Sequence, residues 1–503
     1  MNTVTGGTRS GSTRRGVALS IFAGSLNIIA NIAMFPVVVS QIGADDYGIW
    51  LFMLAVASYF FYTDIGIGTA IVYFGASARG GDRRFTSDAL ISNGLAWIGC
   101  IAPIAVPAFF TIAFAYAHTH GTHLTTGTQV TVAVLGASVV ASIVFRPFES
   151  VLIGSGHVVR DRMNQVVGTA IRVVTVLAML PFGLTVTQVA AAEATGMILP
   201  PVLATAYVLR HRMARPRRSE ITRANIRTLF SYSAKSFMVD ALLVGTLQAG
   251  TVIVGLTRGP ASAAYFAMAM RVFNGAGQVL NWATAPIRPA FSRLSQLDRP
   301  TAVTLSGDLL TVVATVGVLT IAPLAWATPA WIPLWVPDDG LALGMVATTV
   351  LTLVALLARA VQLPVVLSGD SFGRPGLSFP ATLGAAVLQV VLGVWLTHSC
   401  GIIGAGVAVA AALWITQPWC AYALARAVGP PPAQMFACLA LPATVAAAGS
   451  AAALATAAAA VGMHWPPAWF GWVGYAIGAI AVMLSPGGRN VVEKARRLLD
   501  LPM

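Results

Sequence analysis

Long apolar stretches run through almost the whole chain, broken by short clusters of turn-forming or charged residues. They begin near Val17, Ile49, Ala89, Val130, Val166 and Val189, and resume after a basic break at Arg210–Arg227 near Ser231, Ala264, Leu309, Leu341, Leu377 and Ile402. Two more begin near Phe436 and Phe470. A helix needs ~20 apolar residues to cross a bilayer, and these runs do not alternate apolar with polar residues as outer-membrane strands do. The pattern predicts an all-α polytopic membrane protein of about fourteen transmembrane helices. Its loops are too short to hold a separate soluble domain.

Composition narrows the class. Hydrophobic residues make up 57% and charged residues 9%, where a soluble chain is about a quarter charged. A soluble multidomain enzyme and a single-anchor protein are both excluded. The net charge of +13 would suggest nucleic acid in a soluble protein; here the position of the cations decides, because Lys and Arg collect on the cytoplasmic side. With the N-terminus inside, the inner segments hold Arg9, Arg14, Arg15, Arg79, Arg83, Arg84, Arg160, Arg162, the arginines from Arg210 to Arg227, Arg288, Arg293, Arg299, Arg374, Arg426, Arg489, Lys494, Arg496 and Arg497. The outer loops hold only Arg258. This asymmetry predicts cytoplasmic termini, an even number of crossings and no nucleic-acid partner. Arg14-Arg15 before an apolar run also fits a twin-arginine export signal, but the run from Val17 to Val39 is too long for one and lacks a small-residue cleavage site. Cys100, Cys400, Cys420 and Cys438 have no CxxC spacing, so neither a disulfide framework nor a zinc site is indicated. The dominance of Arg over Lys, with abundant Ala and Gly, suggests a GC-rich bacterial genome and hence the bacterial inner membrane.

An internal repeat organises the spans. Val17 and Ser231, which open the first and seventh, are 214 residues apart. Pro147, Leu152, Gly154 and Arg160 are matched by Pro364, Leu367, Gly369 and Arg374, at offsets of 217, 215, 215 and 214. Six spans separate the copies, so the halves share one orientation, as in rocking transporters with a central site. The expected plan is an N-terminal tail (1–16), an N-lobe (17–209), a basic cytoplasmic linker (210–230), a C-lobe (231–426), an extra helix pair (427–485) and an amphipathic cytoplasmic tail (486–503). In that tail Val491, Val492, Ala495, Leu498 and Leu499 share one helical face, which suits a membrane-surface anchor.

Two motifs carry a family resemblance. The first is Gln41-Ile42-Gly43-Ala44-Asp45-Asp46-Tyr47-Gly48-Ile49-Trp50, and the second, beginning at Thr63, is Thr63-Asp64-Ile65-Gly66-Ile67-Gly68. The pair resembles the polysaccharide exporter (O-antigen flippase) family, with its L-G-x-acidic-acidic-Y-G turn followed by D-L-G-hydrophobic-G; Ile42 stands where Leu is usual. The resemblance implies the fold of the multidrug/oligosaccharidyl-lipid/polysaccharide exporter superfamily, with two six-helix lobes around a central cavity. It also implies flipping of a polyprenyl-diphosphate-linked glycan, with membrane lipids and a polysaccharide polymerase or glycosyltransferases as partners. A helix pair beyond twelve matches the lipid II flippase branch. On physical grounds Gly43 and Gly48 suit a tight turn with φ > 0. Gly66 and Gly68 suit either a bend in the second span or close helix packing.

Charges inside the spans are the candidate site residues. An intramembrane cation facing lipid costs roughly 2.5–3.5 kcal/mol at the bilayer centre, so Arg146, Arg172, Lys235, Arg271 and Arg359 must pair, snorkel or face water. The anions at hand are Asp64, Glu149, Glu193 and Asp240. Arg146 and Glu149 can share a helix face, while Lys235 and Glu193 are near span ends. Arg146, Arg172, Arg271 and Arg359 fall in both lobes and are expected to bind the diphosphate, since a guanidinium pairs phosphate oxygens bidentately and stays charged. Structural ion pairing is the competing explanation. Asp64, Glu149 and Asp240 are candidates for ion coupling or for pairing with these arginines.

Other signals carry less. His118, His120 and His123 form H-x-H-x-x-H in a Gly/Thr-rich loop without acidic or Cys ligands, as in a solvated loop. Asp45-Asp46 suggests a membrane glycosyltransferase with a lipid-linked donor, but the loop is short. A multidrug exporter of the same superfamily is the other alternative; it would need acidic sites for cationic drugs, whereas the candidates here are cationic. No cofactor is indicated.

Overall fold

A computed structural model describes residues 7–61, 67–79, 85–119, 126–284, 298–336, 339–372, 375–428, 437–462 and 467–499, with 291 and 294. Among the described residues all regular structure is helical. The helices are α1 (Gly7–Ile42), α2 (Ala44–Phe61), α3 (Ile67–Arg79), α4 (Ser87–Thr119), α5 (Thr126–Gly154), α6 (Val158–Met179), α7 (Val186–Arg210), α8 (Arg223–Arg258) and α9 (Pro260–Thr284). They continue with α10 (Arg299–Trp331), α11 (Asp339–Ser371), α12 (Phe379–Val428), α13 (Ala440–Gly462), α14 (Pro467–Leu484) and α15 (Pro486–Leu499). Nine helices among the described residues are long and apolar enough to cross a membrane, or ten if α14 and α15, bent by 77°, make one span. Of the predicted spans, the second falls on α2 and α3, the seventh on α8 and the eighth on α9, all outside that set.

The 50-residue α12 holds the eleventh and twelfth predicted spans. Straight, it would run ~75 Å, far beyond the ~30 Å hydrocarbon core. Gly401 at φ 64° breaks it in two. A Cβ on Gly404 would collide with the Leu396 carbonyl, so glycine lets the chain turn back closely there. The carbonyls left open at the break are met by Arg258, whose Nε donates to Thr397 O at 2.9 Å and whose Nη2 donates to His398 O. Arg258, expected from the sequence to lie in an outer loop, thus serves as a helix C-cap.

By packing, the chain divides into two units: Met1–Gly255 with Gly259–Ala264, and Leu256–Arg258 with Tyr265–Met503. The division falls at the end of α8, beyond the basic linker. In the first unit, α5 packs on α3, α4 and α7, and α6 packs on α1 and α7. Ile71, Phe74, Leu90, Leu152, Ala204 and Leu229 share one buried cluster. In the second unit, α11 lies against α10 and α12, and the α13–α14 pair is fixed to α10. Gly449 receives the Tyr475 ring, and the Tyr475 hydroxyl donates to Val318 O at 3.3 Å. Pro147 and Pro364, matched in the internal repeat, each stand seven residues before the last residue of their helix.

The first family motif is mostly core. Gly43 takes φ 83° between α1 and α2, as expected. Gly48 differs from expectation: it is helical, and glycine is required because the Pro260 carbonyl lies where a Cβ would stand. Tyr47 and Trp50 are fully buried, with Tyr47 against Phe35 at 5.8 Å. Asp45 and Asp46 are exposed in the first turn of α2, where negative charge suits the helix dipole.

The basic linker is folded. Asp88 at the start of α4 accepts from Arg215 N at 2.8 Å and pairs with Arg217 Nε at 3.1 Å. Ser92 Oγ accepts from Arg217 N at 2.8 Å; Asn93 donates to Glu220 O at 2.9 Å and accepts from Thr222 N at 3.1 Å. Three polar side chains on the first two turns of α4 therefore hold the backbone from 215 to 222. The C-terminal helix α15 buries Val491 and Leu498, and Lys494 pairs with Asp308 of α10 at 3.0 Å.

Candidate functional site

The intramembrane charges meet different fates. Arg172 on α6 is 8% exposed and its Nη1 donates to Glu193 Oε2 on α7 at 3.0 Å. Nη1 also reaches Asn31 Oδ1 at 3.2 Å, and Nη2 reaches Asn27 Oδ1 at 3.3 Å. Asn27 and Asn31 lie one turn apart on α1; Asn31 Nδ2 donates to Asn27 Oδ1 at 2.9 Å. Gly196 on α7 makes room for the arginine stem, since a Cβ there would sit 3.1 Å from Arg172 Cδ. The guanidinium is held among three oxygen acceptors, one of them the opposite charge of Glu193, which is the ion-pair alternative for this residue.

Arg146 and Glu149, three apart on α5, both line a cavity of about 450 Å³ inside the first unit. Ser142, Ser150, Thr69 and Met197 are among the other residues of its walls. At the end of α5, Glu149 meets Asp161 from the first turn of α6, a carboxylate that the sequence reading passed over. Asp161 is 1% exposed, accepts from Gln165 Nε2 at 3.2 Å and lies 3.9 Å from Arg162 Nε. Its only signal was an acidic residue between Arg160 and Arg162. Asn27 and Asn31 were missed too, although an Asn-x-x-x-Asn pair in an apolar run marks a polar strip on one helix face.

In the second unit, Arg271 is partly buried on α9. The side chain of Arg359, partly buried on α11, forms no hydrogen bond or ion pair with any described residue. An unpaired guanidinium in mid-span is an open position for an anion. Asp64 lies outside the described residues, and so do the side chains of Asp240 and Lys235. His118 is exposed at the end of α4, with His120 and His123 outside the described residues. Among the described residues no group of three His, Cys, Asp or Glu is placed to hold a metal.

No family model matches the chain, and no curated protein matches it. Solved structures do. The chain is similar to the lipid II flippase MurJ in an inward closed conformation, at 11% identity and TM-score 0.69, covering 95% of this chain and 99% of that one. It is similar to an inward-facing multidrug resistance MATE family transporter of the MOP superfamily, at 14% identity and TM-score 0.67, over 80% and 95% of the two chains. The eukaryotic MATE transporter AtDTX14 follows at 13% identity and TM-score 0.60, over 85% and 99%. The chain has the fold of MOP-superfamily transporters.

Proposed function

We propose that this protein is a flippase that carries a polyprenyl-diphosphate-linked oligosaccharide across the bacterial inner membrane by alternating access, for cell-surface polysaccharide synthesis. The observation that carries the reading is Arg359, a guanidinium within a span that no described residue pairs. A diphosphate supplies the missing charge with the planar, bidentate geometry that suits arginine. Arg146, beside its cavity, is the corresponding ligand in the first unit, and Arg271 is a further one. Arg172 is assigned to the ion pair with Glu193 and left out of the cargo site. The resemblance in fold to a lipid II flippase supports a lipid-linked cargo. Cation asymmetry supports cytoplasmic termini.

The test is depletion of the protein followed by mass spectrometry of polyprenyl-linked intermediates. The reading predicts accumulation of one complete lipid-linked glycan on the inner face. A glycan one sugar short, built up outside, would assign a glycosyltransferase. The likeness to MATE transporters favours a multidrug exporter as the second reading. Unchanged lipids with altered dye efflux would select it.

A further inference from the structure

The arginine-rich end of the first unit carries a cluster that the cargo site does not use. Tyr207, on the last turns of α7, is its centre. The His211 ring lies 4.2 Å from the Tyr207 ring and the His157 ring 5.9 Å from it, centroid to centroid. Arg160, in the first turn of α6, places its guanidinium carbon 5.2 Å from the same centroid. His157, Arg160 and His211 are all exposed. The Tyr207 body is packed on the buried cluster of the unit, so the ring is a fixed platform.

Depth follows from the helices. Residues Val186 to Arg210 form one apolar span of 25 residues, about 37 Å long, so Tyr207 and His211 stand where hydrocarbon gives way to headgroups. Arg160 opens the span Val158–Phe182 and meets Tyr207 at the same level. Directly along α6 from Arg160 runs an exposed apolar stripe: Val159, Met163, Val167, Ile171 and Val174. These recur every three or four residues and form one helix face. Beside the cluster, the linker from 215 to 222 is held on α4 by Asp88, Ser92 and Asn93. Arg210, Arg212, Arg215 and Arg218 are exposed there, and Asp88 is already bonded to Arg215 and Arg217. The patch is fixed, cationic and aromatic, and it continues into an acyl-sized apolar face.

We infer that His157, Arg160, Tyr207 and His211 form a binding site for the phosphate diester of an anionic glycerophospholipid, with an acyl chain lying along the α6 stripe. Arg160 supplies a bidentate donor for the phosphate, the imidazoles supply further N–H donors, and the tyrosine ring marks the interface. Basic pockets between spans on the cytoplasmic side are suited to such headgroups. Loss of the Arg160 cation is expected to weaken binding about fivefold, since each Lys or Arg near the surface is worth ~1 kcal/mol.

The purified full chain in detergent is titrated with phosphatidylglycerol or phosphatidylcholine, and bound lipid is counted by native mass spectrometry. The wild type should retain phosphatidylglycerol over phosphatidylcholine. The triple variant His157→Asn, Arg160→Gln, His211→Asn should lose that preference, while Arg489→Gln with Arg496→Gln on α15 should keep it. If the triple variant does not fold, Arg160→Gln alone should lower affinity for phosphatidylglycerol. Equal retention of the two lipids by the wild type would overturn the assignment, as would undiminished phosphatidylglycerol binding by Arg160→Gln. Displacement of phosphatidylglycerol by an equimolar polyprenyl diphosphate would reassign the cluster to the cargo.

Discussion

Arg172 shows what a single side chain costs and fixes in this protein. Burying a guanidinium is tolerable because Glu193 neutralises it and the two asparagines accept from its terminal nitrogens, while Nε has no partner among the described residues. Removing one partner of a buried pair leaves the other charge exposed to a low dielectric, at about 3–5 kcal/mol. Arg172→Ala should therefore lower thermal stability in detergent strongly. The double variant Arg172→Met, Glu193→Leu should recover most of it, because neither charge is then stranded. If the double variant is as unstable as the single one, the ion pair is not what holds α6 to α7. At this scale the sequence was partly legible. That mid-span charges must be matched follows from solvation alone, and Glu193 was among the anions available. Which anion meets which cation depends on helix rotation, and the neutral partners Asn27 and Asn31 carry no charge to draw notice.

Elements turn on close backbone approaches. Gly48 lies against the Pro260 carbonyl and Gly404 against that of Leu396. Gly48→Ala or Gly404→Ala should cost about 1–3 kcal/mol by overpacking, read as a lower melting temperature; an unchanged melting temperature would show that the backbones part freely. The linker is a second case. Its backbone is held by Asp88, Ser92 and Asn93, and the exposed Arg217–Asp88 pair adds little by itself. Losing hydrogen bonds worth about 1.4 kcal/mol in sum in Asp88→Ala, Asn93→Ala should speed tryptic cleavage after Arg217 and Arg218 about tenfold. Equal cleavage would mean that the segment is held by other contacts. Helix existence was readable from apolar runs because every span must satisfy its own backbone in lipid. The Gly401 break falls between the starts near Leu377 and Ile402. The clasp on α4 was not readable: Ser, Asn and Asp in an apolar flank are ordinary residues until the partner backbone is placed.

For the whole molecule, the fold class follows from composition and from runs of twenty apolar residues, and the likeness to MOP-superfamily transporters agrees with it at identities of 11–14%. So few shared residues mean that the layout of spans, rather than any side-chain set, carries the likeness. The cargo must be argued from this chain's own charges. Arg146 and Arg359 are the positions where cation chemistry meets space or lacks a described partner. Cells whose only copy carries Arg359→Ala should accumulate the same lipid-linked glycan as depleted cells, at normal protein abundance in the membrane.

The most direct measurement is the affinity of the purified chain for polyprenyl diphosphate, compared between the wild type and Arg359→Ala. Loss of a charge-assisted bidentate contact worth about 1.5–3 kcal/mol predicts binding weaker by at least tenfold, with the melting temperature unchanged. Equal affinity in the two proteins would contradict the account.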